Sequence, residues 1–280
     1  VMIMAEAAAR DVAFRNKEID TSILGPAQYV AYRADPQLSK GILEVAEMFT
    51  RSTHINLSSI KPFQDKRVRQ AINYAIDSNL IISRLVKDKA YRATSWLPPS
   101  AAAFDKTMKP YPYDPEKAKK LLAEAGYPNG FEASLKLPPV GYAQRAGEVV
   151  ASQLGKIGIK VAITQLQWPQ WLSEVFKERN YDLTIVAHTE ANDIDRYARD
   201  GYYWNYNSPE FKAKWREVVA ATDFAKRDEL LKDCQRIIAR DAVNGYLYQL
   251  AKIGVWKKEL VGLWENSPTP ATDLTGVSWK

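Results

Sequence analysis

The 280-residue sequence contains one cysteine and two histidines. No intrachain disulfide can form. Cys234 sits at helical spacing with Leu230, Leu231, Ile237 and Ile238 and reads as a small hydrophobe inside a core. His54 and His188 lie far apart in sequence and neither has a ligand-spaced partner, which argues against a histidine-rich zinc site. Apolar runs are short. Leu80-Ile81-Ile82 is broken at once by Ser83-Arg84, and nothing approaches the ~20 residues that cross a bilayer. Blocks of like charge are also missing: 39 Lys and Arg are scattered among 33 Asp and Glu, so the net charge of +6 forms no stripe for nucleic acid. The phosphate loops GxGxxG and GxxxxGK(S/T) do not occur, and neither does the GxSxG nucleophile elbow. Asn192-Asp193-Ile194-Asp195 matches the opening of a calcium loop, but Tyr197 follows at the fifth position and no glycine at the sixth. Asn56-Leu57-Ser58 is formally a glycosylation sequon. Val1-Met2-Ile3-Met4 is too short for a signal-peptide core, with Glu6 and Arg10 following directly.

What is present is ordinary globular material, 46% hydrophobic and 26% charged, enough for one large domain or two small ones. Ala5 to Lys17 reads as helix, so the chain is expected to begin inside a larger fold. From Gly41 to Leu57 two readings compete. Ile42, Val45, Ala46 and Phe49 fit a helix, while the β-branched stretch from Thr50 fits a strand. Asp65 can cap a helix with Val68, Ile72, Ala75 and Ile76 inward, and Asp77-Ser78 a second carrying Leu80, Ile81 and Leu85. Trp96 to Pro112 carries four prolines and reads as a long surface loop. Asp114-Pro115-Glu116 starts a helix that Gly126 stops. Strands are then expected at Phe131–Leu137, Ile159–Ile163 and Tyr181–Val186, separated by helices at Ala143–Leu154 and Trp168–Lys177. Those lengths imply βαβ units with parallel pairing. Ser208 caps a further helix with Phe211, Trp215, Val218 and Val219 inward, and a last helix covers about Ala225 to Arg240. Short strands close the pattern at Leu247–Leu250 and Gly254–Trp256. The class is α/β with a mixed sheet.

Open parallel sheets bind ligands beyond the carboxyl ends of their strands. The strand ending at Val186 runs into Ala187-His188-Thr189-Glu190-Ala191-Asn192-Asp193-Ile194-Asp195-Arg196-Tyr197, and Tyr202, Tyr203, Trp204 and Tyr206 follow. A carboxylate can hold an ammonium group, and aromatic walls give apolar contact at low entropy cost. The combination suits a zwitterionic, partly apolar solute such as a peptide. A solvated acidic loop followed by core aromatics accounts for the same residues. Arg196 and Arg199 are candidates for a solute carboxylate on charge alone, with pairing to Asp195 and Asp200 as the alternative.

Pro62-Phe63-Gln64-Asp65-Lys66-Arg67-Val68-Arg69-Gln70-Ala71-Ile72-Asn73-Tyr74-Ala75-Ile76-Asp77 resembles the signature of family 5 extracellular solute-binding proteins. Tyr113-Asp114-Pro115-Glu116-Lys117-Ala118 through Leu121-Leu122-Ala123-Glu124-Ala125-Gly126-Tyr127-Pro128-Asn129-Gly130-Phe131 is a second match, with Leu154 to Val161 and Tyr181-Asp182-Leu183 following in order. The resemblance implies a periplasmic-binding-protein-like lobe plus part of a second lobe, the C-terminal half of a bilobal receptor for an ABC importer. Residues 1–60 and 247–280 would belong to the first lobe and 61–246 to the C-terminal ligand-binding lobe. Gly41 to Leu57 is then extended. The implied role is periplasmic: a monomeric receptor binds a peptide or similar small solute between two lobes and delivers it to a permease at the inner membrane. No enzyme activity, cofactor, metal or nucleic acid is implied. Matching the peptide-binding members places Glu190 at the acid for the solute's amino terminus, Asp193 at a second acid and Tyr197 at an aromatic; Tyr203 and Trp204, from the aromatic run beyond the loop, are further candidates for solute contact. The sequence departs from the pattern in having glutamate for the usual aspartate, Ala187 for a common tryptophan and Ile194 for a usual proline. An oligosaccharide, an opine or a nickel chelate on the same scaffold is one alternative. A hydrolase using Glu190 and Asp193 as acid and base is another.

Overall fold

Capping residues set where several helices start. The computed structural model describes residues 4, 7–36, 38, 41–99, 101–188, 193–263 and 274–280. In chain order it begins with α1 (Ala7–Arg15), β1 (Thr21–Leu24), α2 (Pro26–Ala34) and β2 (Ile42–Ile55). β2 settles the ambiguous stretch as extended: the apolar spacing that fits a helix there is outweighed by the β-branched residues behind it. A short α3 (Lys61–Gln64) leads to α4 (Lys66–Ala75), where the Asp65 carboxylate accepts from Arg67 N at 2.8 Å. Val68, Ile72, Ala75 and Ile76 are all buried, as the spacing predicts. Asp77 accepts from Leu80 N at the head of α5 (Ser78–Leu85), and β3 (Ala90–Arg92) follows.

α6 (Pro115–Glu124) opens on Asp114, which accepts from Lys117 N at 2.9 Å, with proline in the first turn. Such caps contribute about 1 kcal/mol each. Gly126, at φ +91°, ends the helix where a side chain would be strained. Gly130 must also be glycine, since a Cβ there would sit 1.9 Å from the Gly158 carbonyl oxygen. Next come β4 (Phe131–Leu137), α7 (Gly141–Gly155), β5 (Ile159–Gln165), α8 (Trp168–Trp171) running into a π-helical segment Leu172–Lys177, and β6 (Leu183–Ala187). A 3-10 helix, Asp193–Ala198, precedes α9 (Pro209–Ala220), α10 (Phe224–Arg240) and β7 (Asn244–Trp256), with β8 (Leu260–Val261) and β9 (Ser278–Trp279) last. Ser208 caps α9 by accepting from Phe211 N. Phe211 and Val218 face inward, but Val219 is 68% exposed, because position 219 lies about 100° round the helix from 218.

The chain divides into two compact units, Val1–Glu47 with Val86–Tyr91 and Leu250–Lys280, and Met48–Leu85 with Arg92–Gln249. In the smaller, β1 pairs antiparallel with the end of β7, Thr21 opposite Trp256, over a core of Phe14, Leu24, Tyr29, Tyr32, Ile253 and Val255. In the larger, β4 pairs parallel with both β5 and β6, and β6 pairs antiparallel with the end of β2, Ile55 opposite Leu183. This is the expected mixed sheet with parallel βαβ units. Leu135, Leu137, Leu183 and Ile185 are buried at 0%, and each such side chain contributes roughly 1.5–3 kcal/mol.

A second cluster in the larger unit packs Trp171, Tyr197, Tyr203 and Trp204 with Cys234 and Ile238. Cys234 is fully buried there, and burial pushes its thiol pKa up to about 12. Trp96, Leu97 and Ala103 join the same cluster, which corrects the reading of residues 96–112 as surface loop. Prolines break the helix and strand pattern of that segment without keeping its aromatic and apolar side chains in water. Asn56 is also buried and donates to the Arg179 and Tyr181 carbonyls at 2.8 and 3.0 Å, so the sequon is a structural amide.

Candidate functional site

The parallel strands β4, β5 and β6 end at Leu137, Gln165 and Ala187, so the segments that follow them share one edge of the sheet. Tyr142, from the first turn of α7, accepts the Ala187 N–H at 2.9 Å and ties two of those ends together. His188 comes next. Its Nδ1 lies 2.8 Å from Asp193 Oδ2, and its Nε2 lies 2.9 Å from the Tyr203 hydroxyl. The other Asp193 oxygen accepts from Trp96 Nε1 at 2.5 Å. Asp193 is 5% exposed, and both of its oxygens are engaged by side chains from separate segments.

Around this polar knot the aromatic rings close ranks. Tyr197, Tyr203 and Trp204 are buried, and the Tyr197 and Trp204 rings stack at 4.6 Å. Burial drives the pKa values of Tyr197 and Tyr203 well above that of a free phenol, so both hydroxyls stay protonated. Asn244, at the head of β7, bonds the Tyr197 hydroxyl. His54, on β2 opposite Thr184, is enclosed between Trp204, Trp96 and His188.

The residues expected to meet a solute therefore fall in different places. Asp193, Tyr197, Tyr203 and Trp204 form one buried group. Arg199 pairs with Asp195 at 2.6 Å, and Arg196 lies 3.6 Å from the same carboxylate, while Asp200 pairs with Lys212. Glu190 lies outside the described residues. No group of three or more His, Cys, Asp or Glu able to hold a metal occurs among the described residues.

Two features of this edge were not singled out from sequence. Trp96 is one. The other is an apolar stripe on α8 and the π-helical segment, where Trp168, Leu172 and Phe176 recur every four residues and are 40, 47 and 39% exposed. The wider π turn lets Trp171 and Val175 stay buried behind them. Phe176 meets the Tyr202 ring edge-on at 5.8 Å, so the stripe runs toward His188, whose ring lies 6.2 Å from that of Tyr202. The periodicity of four was visible in the sequence.

Elsewhere, a cavity of about 30 Å³ among Arg92, Thr94, Tyr111 and Tyr246 has room for a water molecule, not for a peptide. A shallow hollow of about 380 Å³ beside Phe104 and Lys106 is lined by charges already paired, Asp105 with Arg236 and Glu229 with Lys232.

The fold is that of the periplasmic binding proteins. The periplasmic binding protein DppA from Helicobacter pylori, solved with the peptide STSA, superposes on all of this chain with a TM-score of 0.88 at 22% identity, the match covering 56% of that structure. The model of the bacterial extracellular solute-binding proteins, family 5, matches residues 1–213, and the chain belongs to that family. Di/tripeptide-binding protein 2 of Pseudomonas aeruginosa is 31% identical over 267 residues, 90% of this chain and 49% of that protein. Heme-binding protein A of Haemophilus influenzae is 33% identical over 196 residues, 65% of this chain and 36% of that protein. The chain thus spans about half the length, or less, of these curated relatives. No helix among the described residues is long and apolar enough to cross a membrane.

Proposed function

We propose that the chain is the solute-contacting part of a periplasmic receptor that captures a small peptide and delivers it to the permease of an ABC importer. The carboxylate–aromatic cluster at the carboxyl edge of β4, β5 and β6, in a chain of this family, carries the reading. The larger unit, which contains most of residues 61–246, acts as the C-terminal ligand-binding lobe, and the smaller unit contributes to the first lobe. Glu190, three residues before the 3-10 helix, anchors the solute's ammonium group. Asp193, with both oxygens engaged, holds the base of that loop through Trp96 and His188. Tyr197, Tyr203 and Trp204 form the apolar support beneath it, and Trp168 and Leu172 present a wall to apolar solute side chains. Arg196 and Arg199, held by Asp195, offer positive charge to a solute carboxylate at its outer end.

No bond is made or broken in this role. Capture works by a differential affinity of the solute for the closed form. Calorimetry on the whole protein with dialanine, trialanine and Ser-Thr-Ser-Ala should give exothermic binding that is lost on N-acetylation of the peptide. Binding of heme, an oligosaccharide or a nickel–histidine complex with no response to any peptide would replace the solute class. Silence to all of them would sink the receptor reading.

A further inference from the structure

His54 is fully buried. Its ring stacks on Trp204 at 5.3 Å and 7° between planes, with the His188 ring 5.3 Å away and Tyr203 and Trp96 each at 5.8 Å. The groups facing it are thus Trp96 from the 93–114 segment, His188 from the end of β6, Tyr203 and Trp204 from the loop before α9, and Asn244 from β7. Of these, His188 and Tyr203 carry ionisable groups. His54 Nε2 lies 3.3 Å from the Val186 carbonyl oxygen. A carbonyl can only accept, so Nε2 carries the hydrogen. Burial, reinforced by His188, keeps the ring from taking a second proton, which leaves Nδ1 as a bare lone pair.

Asn244 sits between that ring and the Tyr197 hydroxyl. With its Nδ2 turned to Tyr197, Asn244 Oδ1 and His54 Nδ1 are both buried without a partner. Two acceptors then face each other in a site closed to water. A half-turn of the amide exchanges its oxygen and nitrogen in nearly the same positions. Nδ2 then donates to His54 Nδ1, and the Tyr197 hydroxyl donates to Oδ1.

We propose that His54 is a positioning residue for the solute site. It closes a one-way chain of hydrogen bonds, from Tyr197 to Asn244 to His54 to the Val186 carbonyl, that fixes the end of β6 four residues before Glu190. The inference rests on the receptor reading for its link to binding. The chain itself does not.

Nitrogen-15 NMR of the histidines in the whole protein tests the chain directly. His54 should remain the neutral Nε2–H form from about pH 5 to 8. Asn244→Asp, which puts a carboxylate at Nδ1, should convert it to imidazolium. His54→Gln can donate to Val186 O and accept from Asn244, and should bind Ser-Thr-Ser-Ala within about threefold of wild type, whereas a folded His54→Leu should lose about tenfold or more. A His54 that titrates inside that range, or a folded His54→Leu of unchanged affinity, overturns the proposal. If wild type binds no peptide at all, the peptide reading fails while the NMR result still decides the hydrogen-bond chain.

Discussion

The Trp96 indole and the Asp193 carboxylate, 97 residues apart in sequence, meet through a 2.5 Å hydrogen bond inside the aromatic cluster. Trp96→Phe removes the N–H together with part of the fused ring, so the cost of a small cavity adds to that of the lost bond. A buried carboxylate oxygen short of one donor costs about 1.5–3 kcal/mol. Urea denaturation should show that loss with an unchanged m-value. A shift under about 0.5 kcal/mol would mean that the bond contributes nothing net.

Asp182 should act on stability and not on binding. Its Oδ2 accepts from both Ser134 N and Ser134 Oγ, at 2.8 and 2.7 Å, between β6 and β4. Asp182→Ala should cost roughly 1–3 kcal/mol and leave peptide affinity within about twofold. A tenfold loss of affinity at unchanged stability would place this residue in the site instead.

These two residues mark how far the sequence could be read. Helix starts were legible because a cap is a local bond: Asp65, Asp114 and Ser208 each accept from a backbone N–H two or three residues on. The βαβ order was legible because periods of two and of about 3.6 leave different marks. Ile42 to Phe49 defeated periodicity, since the same apolar residues satisfy a helix and a strand. At the site, the loop after β6 followed from the rule for open sheets, but its internal wiring did not. Nothing local to Asp193 announces Trp96 or His188 as its partners, and nothing local to His54 announces that its lone pair needs an amide from β7.

Acid should destabilise the protein through His54. Folding lowers its pKa well below the ordinary 6.5, so below that pH the unfolded chain binds one proton that the native state refuses. The contribution is fully present above about pH 6.5 and is lost as pH falls, at up to about 1.4 kcal/mol per pH unit. Urea midpoints for wild type and His54→Gln between about pH 5 and 7 should differ in slope by that one proton. Parallel slopes would show that the imidazole is charged or exposed.

Cys234 should behave in the opposite sense with pH. Folding raises its pKa from 9.0 to about 12, so its stabilisation is complete below about 9 and is lost as pH climbs toward 12. At mild alkaline pH the native thiol should resist a disulfide reagent and react only on unfolding. Rapid labelling of the folded protein would contradict the buried environment.

The division of labour between the two acids of the loop can be measured. Asp193 has one oxygen on Trp96 and the other on His188, so an approaching ammonium would have to displace a buried partner. Glu190 lies outside the described residues and is the acid proposed to anchor the solute. Removing one partner of an enclosed charge-assisted pair costs about 2–5 kcal/mol, so Glu190→Ala in the whole protein should weaken Ser-Thr-Ser-Ala binding roughly 30-fold or more. Asp193→Asn should lower the unfolding midpoint first and affect affinity only through the loop it holds. Calorimetry and urea melts on the same two preparations separate these effects. If folded Asp193→Asn abolishes binding while Glu190→Ala binds like wild type, the anchor is Asp193, and the Trp96 and His188 bonds are contacts that the solute must compete with.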